Sequence, residues 1–170
     1  MALRTTFALL ICLVGFGCKS AAVEPAPKRA AQKFEITLRV RPKADLNPND
    51  RGEPTPVDLR VYQLKDRPTF TEAAFEDLWV KDKEVLGESL LQAPKVLNFT
   101  PGKDGAPPLA HELKLEPGAK FLGLMVLYSA ERGEGLEERK LCVTVDEADM
   151  KVFELTGHRI VITKLTLDEE

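Results

Sequence analysis

A chain of 170 residues accommodates one folded domain plus a leader. Its hydrophobic fraction of 44% supplies enough apolar surface for one core. A formal net charge of −3, with both signs mixed along the chain, excludes the clustered basic face that nucleic acid requires.

Residues 1–17 are predicted to be a signal peptide. Arg4 is the only charge before Cys18, and an apolar run follows from Phe7 to Phe16. That run is shorter than the ~20 apolar residues that cross a bilayer as a helix, so it reads as a secretory leader. Gly15 and Gly17 flank the candidate cleavage site. The tetrapeptide Gly15-Phe16-Gly17-Cys18 resembles the lipobox of bacterial lipoproteins, matching it at Gly17 and Cys18. The resemblance implies a diacylglyceryl thioether on the Cys18 sulfur and an acylated new N-terminus, which together make a stable lipid anchor. Lys19 stands where lipoproteins held in the inner membrane commonly have Asp, so the same resemblance implies the outer membrane.

Cysteine use agrees with export. Cys12 leaves with the leader and Cys18 carries lipid, so Cys142 has no intramolecular partner in an oxidising compartment. No motif activates Cys142, and a partly or fully buried structural thiol is expected.

Residues 18–33 comprise the lipidated cysteine and a tether. Lys19 to Lys33 is rich in Ala and Pro with no apolar period, the pattern of an extended linker. Stretched, it would reach about 50 Å.

The domain occupies 34–170. Phe34, Ile36, Leu38 and Val40 alternate with polar residues, as in a half-buried strand. Val57, Leu59 and Val61 repeat the pattern after a long loop, Arg41–Pro56. Helical signals then occupy about 69–92. Thr69 and Glu72 read as a capping box, Ala74, Phe75 and Leu78 share one helical face, and a second stretch runs from Lys83 to Gln92. Further strands are expected at Val96–Phe99, Leu109–Leu115, Ala119–Tyr128, Leu141–Val145 and Ile160–Leu167. The run from Ala119 is almost continuously apolar, as in a strand covered on both faces. Turn signals at Pro101-Gly102, Pro117-Gly118, Arg132–Gly135 and Gly157 separate them. Six or seven short strands with such turns predict a mainly β fold, a two-sheet β-sandwich with a small helical insertion between its second and third strands.

The segment VDLRVYQLKDRPTFTEAAFEDL, Val57 to Leu78, resembles the TssJ family, the outer-membrane lipoproteins of the bacterial type VI secretion system. The resemblance rests on Val61-Tyr62-Gln63-Leu64-Lys65, then Phe70, Ala74, Phe75 and Leu78. Leu46-Asn47-Pro48, Pro56-Val57, Leu86-Gly87, Pro101-Gly102 and Leu122-Gly123 resemble further landmarks. It implies a transthyretin-like sandwich in the periplasm, hung from the outer membrane. The implied partner is TssM, an inner-membrane protein with a periplasmic part, with TssL in the wider complex. It also implies that the first inter-strand loop contacts TssM, which here places Asp45, Leu46, Asn47, Pro48, Asn49, Asp50 and Arg51 at the interface. A long loop stiffened by prolines suits binding on independent grounds, because less entropy is lost on ordering it.

Chemistry for catalysis is not apparent. His111 and His158 lack neighbours at metal-ligand spacing, and no nucleophile elbow, phosphate-cradling loop or zinc-protease helix occurs. Asp45, Asn47 and Asn49 begin like a calcium loop, but Asp50 stands at the glycine position and Pro56 at the bidentate glutamate position. No enzyme activity, cofactor or metal is therefore expected. The alternative to a structural interaction protein is a periplasmic lipoprotein that binds a small ligand or peptide.

Overall fold

The computed structural model describes residues 34–129 and 135–164. The predicted leader, Cys18 and the tether lie outside the described residues.

Among the described residues eight strands form two four-stranded sheets. They are β1 (Glu35–Pro42), β2 (Val57–Leu64), β3 (Lys95–Phe99), β4 (Leu109–Lys114), β5 (Phe121–Leu127), β6 (Lys140–Thr144), β7 (Lys151–Thr156) and β8 (Arg159–Lys164). The first sheet has the order β4-β1-β7-β8 and the second β3-β2-β5-β6. All pairings are antiparallel except β1 with β7. Ile36, Leu38 and Val40 of β1 pack with Leu59 of β2, Leu124 of β5 and Phe153 of β7 between the sheets. Each such side chain contributes roughly 1.5–3 kcal/mol by leaving water.

A second apolar layer covers the outer face of the β2–β5 sheet. Helices α1 (Pro68–Glu72) and α2 (Phe75–Leu86) bring Phe70, Phe75 and Leu78 onto Tyr62 and Met125. Hence β5 is buried on both faces, as its apolar run predicts. The second half of β2 is likewise wholly buried, which its alternating first half does not show. Gly123 is where the helical layer comes closest: a Cβ there would stand 2.7 Å from the Phe70 ring. Gln63 links the two sheets, donating from Nε2 to the Lys114 carbonyl (2.8 Å) and accepting at Oε1 from the Glu116 amide (2.7 Å).

Several expectations are corrected. Thr69 does not cap a helix; it lies inside α1, whose N-cap is Arg67, and its hydroxyl donates back to Asp66 Oδ1 (2.7 Å) ahead of the helix. Ala73 and Ala74 form an extended break, so α2 starts at Phe75 rather than continuing from Thr69. Helix does not persist to Gln92: it gives way to a 3-10 turn, Gly87–Ser89, and Leu90 bridges back to Leu64. The strand expected through Val145 stops at Thr144, where a helix α3 (Val145–Met150) begins. Its capping box is Thr144 with Glu147. Strand β7 has no counterpart among the expected strands, and β8 starts one residue before Ile160; Leu165 to Leu167 lie outside the described residues.

Candidate partner-binding loop

Residues 43–56 cross from β1 in one sheet to β2 in the other, capping one end of the sandwich. The chain arrives at the opposite end, where the Leu115 amide donates to the Phe34 carbonyl (2.8 Å).

Leu46 turns inward and is fully buried in the inter-sheet core. Asn47 follows with φ 47°, in the left-handed region that Asn tolerates better than most residues. Its side chain is 3% exposed and bonds in two directions. Nδ2 donates to Thr55 Oγ1 (2.7 Å) and to the Pro56 carbonyl (2.9 Å). Oδ1 accepts from the Ser129 amide (2.8 Å) and hydroxyl (3.0 Å). Its backbone amide donates to the Gly157 carbonyl (2.8 Å) in the β7–β8 turn. One residue thus joins the loop's two legs, the end of β5 and the turn after β7.

Beyond Asn47 the loop is a small hairpin, with Pro48 bridged to Pro54. Asn49 Oδ1 accepts from the Arg51 amide (2.9 Å) and the Glu53 amide (3.0 Å), while Nδ2 donates to Glu53 Oε2 (2.9 Å). Gly52, at φ 74°, supplies the tip's left-handed turn. Outside the hairpin, the Thr156 hydroxyl lies 2.9 and 3.0 Å from the Asp45 carboxylate oxygens. His158 Nε2 sits 3.1 Å from the Pro48 carbonyl, with its ring edge-on to Tyr128. Burial raises the Tyr128 phenol pKa, and its hydroxyl donates to the Arg159 carbonyl (2.7 Å).

The seven residues assigned to the interface therefore divide. Leu46 and Asn47 are buried and hold the loop; Pro48 and Asn49 are partly buried; Asp45, Asp50 and Arg51 are exposed. Glu53 and Pro54, not anticipated, complete the exposed tip. Thr55, Ser129, Thr156 and His158 brace it, and only the fold brings them together. The three side chains that suggested a calcium loop bond to the protein's own groups: Asp45 to Thr156, Asn47 to Ser129 and Thr55, Asn49 to the hairpin. Elsewhere, Cys142 is half-buried in β6, and burial raises its thiol pKa. Among the described residues no helix is long and apolar enough to cross a membrane.

Residues 34–160 match the family model described as "Type VI secretion lipoprotein, VasD, EvfM, TssJ, VC_A0113". The chain belongs to this family. No curated protein matches by direct sequence comparison. Solved structures share the TssJ fold. The T6SS lipoprotein TssJ1 from Pseudomonas aeruginosa is 20% identical, with a TM-score of 0.64 over 78% of this chain and 97% of that one. A chain of a type VI membrane complex is 25% identical, with a TM-score of 0.66 over 78% and 99%. A chain in the structure of the TssM C-terminal domain from EAEC is 22% identical, with a TM-score of 0.64 over 78% and 100%. The protein is thus a type VI secretion lipoprotein of the TssJ family, membrane-associated as that family is, and the family is not one of enzymes.

Proposed function

We propose that acyl chains on Cys18 hold this protein to the periplasmic face of the outer membrane, and that its β1–β2 loop binds the periplasmic part of a TssM-like inner-membrane protein. TssL completes the trans-envelope complex through that partner. The work is mechanical: lipid affinity and interface affinity act in series.

The observation that carries this reading is the position of the loop. The domain's first residue, Phe34, stands at one end of β1 and the loop at the other. Eight extended residues separate them, roughly 26 Å at strand rise. A domain tethered through its N-terminus thereby presents the loop on the side away from the attachment. The loop is also pre-ordered by Asn47, so less conformational entropy is lost when a partner docks. Its exposed tip, Asp50, Arg51, Glu53 and Pro54, offers charges of both signs, which suit orientation and specificity more than bulk affinity. That similar chains occur in structures of a type VI membrane complex and of the TssM C-terminal domain supports the same partner.

Replacing the lipidated cysteine tests the anchor. Cys18→Ser is expected to give a periplasmic protein that partitions with the soluble fraction and fails to support type VI secretion. Normal secretion by this variant would contradict the proposal.

A further inference from the structure

We infer that the free edge of β8 is a second docking element, which takes an extended segment of the partner as an added strand. The inference rests on the partner reading above.

Among the described residues β8 pairs only with β7, so one row of its backbone N–H and C=O groups has no strand beside it. The β7–β8 turn has two residues, Gly157 and His158, which makes Thr156 and Arg159 a hydrogen-bonded pair. Alternation along the antiparallel ladder then directs the N–H and C=O groups of Ile160 and Ile162 away from β7. A bare row of this kind is a template for another chain, and proteins ordinarily blunt it with charge, proline or cover.

The other edges are blunted. β3 is short and carries Lys95 and Asn98, and β4 follows Pro107-Pro108 and carries Glu112 and Lys114. β6 is overlaid by the α1 end, where Lys140 Nζ donates to the Thr71 (2.9 Å) and Ala73 (2.6 Å) carbonyls. Between Ile160 and Thr163 β8 carries neither charge nor proline, and although the 3-10 turn Leu136–Arg139 packs near it, no backbone hydrogen bond from the described loops reaches Ile160 or Ile162. Ile162 shares a face with the buried Ile160, yet is 41% exposed. The apolar face of the sheet is therefore unfinished at this edge, and an added strand would complete it.

Charge selects the occupant. Two copies pairing antiparallel through the outward groups of Ile160 and Ile162 would bring together strands that each carry Arg159 and Lys164 and no carboxylate, so neither cation gains a partner. An extended apolar segment with a carboxylate near each end meets both cations favourably. β8 also begins beside the β1–β2 loop, through His158 and Pro48, so one partner can engage both.

Amide hydrogen exchange tests this. The probe is the purified periplasmic domain of the TssM-like protein, added to the mature chain. In the free chain the Ile160 and Ile162 amides should exchange rapidly; slow exchange there would mean the edge is already covered and would overturn the inference. On binding, both should slow by tenfold or more. Ile162→Pro removes one outward donor without removing a bond to β7, and should weaken binding at least tenfold with an unchanged circular dichroism spectrum. Binding that protects the loop but leaves Ile160 and Ile162 unprotected overturns the β8 inference and leaves the partner reading intact. Absence of binding overturns both. Protection that appears instead with self-association of the chain, without the probe, also overturns it.

Discussion

Asn47 shows how one side chain can set the shape of the loop proposed to bind the partner. Its amide serves four acceptor and donor groups, and its positive φ suits Asn better than a residue with an apolar side chain. Asn47→Ala leaves the Ser129 amide and the Pro56 carbonyl without that partner, and should destabilise the domain by about 2–3 kcal/mol in urea unfolding. Substitutions of the exposed Asp50 or Arg51 should stay within about 0.5 kcal/mol of wild type. Equal losses at the buried and exposed positions would contradict this division of labour. From sequence, Asn47 reads as a contact residue, because its partners Ser129 and Gly157 lie far along the chain. His111 makes a second residue-scale prediction. Burial, and then the positive Lys95, lower its pKa, so the fold favours the neutral ring, which stands edge-on to Phe99. The unfolded chain takes up a proton near pH 6.5 while the folded chain resists it, so stability must fall as pH drops through and below that value. The urea midpoint should decrease from pH 7.5 to 5.5, and less steeply in His111→Gln. Parallel pH profiles for the two proteins would contradict the assignment.

At the scale of elements, legibility follows how many faces are covered. β1 and the first half of β2 alternate because one face meets the core and the other solvent, so their periodicity is plain in the sequence. β5 is covered on both faces and reads as an unbroken apolar run. β7 is an interior strand with Val152 and Phe153 both fully buried on opposite faces, between Lys151 and Glu154, and it matches neither template. The insertion was legible as helix but not as two helices, because the break at Ala73-Ala74 falls on strong helix formers; tertiary packing of Phe70 and Phe75 overrides propensity there. α3 was legible after all, through Thr144-x-x-Glu147, but Val145 also continues the β6 alternation and masks it. The capping box places Asp149 to accept from the Thr37 amide (2.8 Å), and Arg39 Nη1 donates to the Asp149 carbonyl (2.7 Å). Thr144→Ala should therefore cost about 1 kcal/mol in thermal or urea unfolding, and Thr144→Ser should recover most of it. No loss in the alanine variant would show that α3 is held by packing alone.

For the whole molecule, the proposed function divides two tasks along one axis: among the described residues the chain arrives at one end of the sandwich, and the braced loop stands at the other. A loop shaped from within tolerates changes at its tip without unfolding, so binding and stability can be tested apart. This matters for deletions. Removing residues 43–55 would take out Leu46 and Asn47, and would damage the fold along with any interface. The triple variant Asp50→Ala, Arg51→Ala, Glu53→Ala confines the change to exposed side chains. The most direct measurement is co-purification of the tagged full chain from detergent-solubilised envelopes, wild type against this triple variant, with the recovered proteins identified. Recovery of a large TssM-like inner-membrane protein with the wild type, and its loss with a triple variant that unfolds at the wild-type urea concentration, is the predicted result; undiminished recovery with the variant would contradict the account.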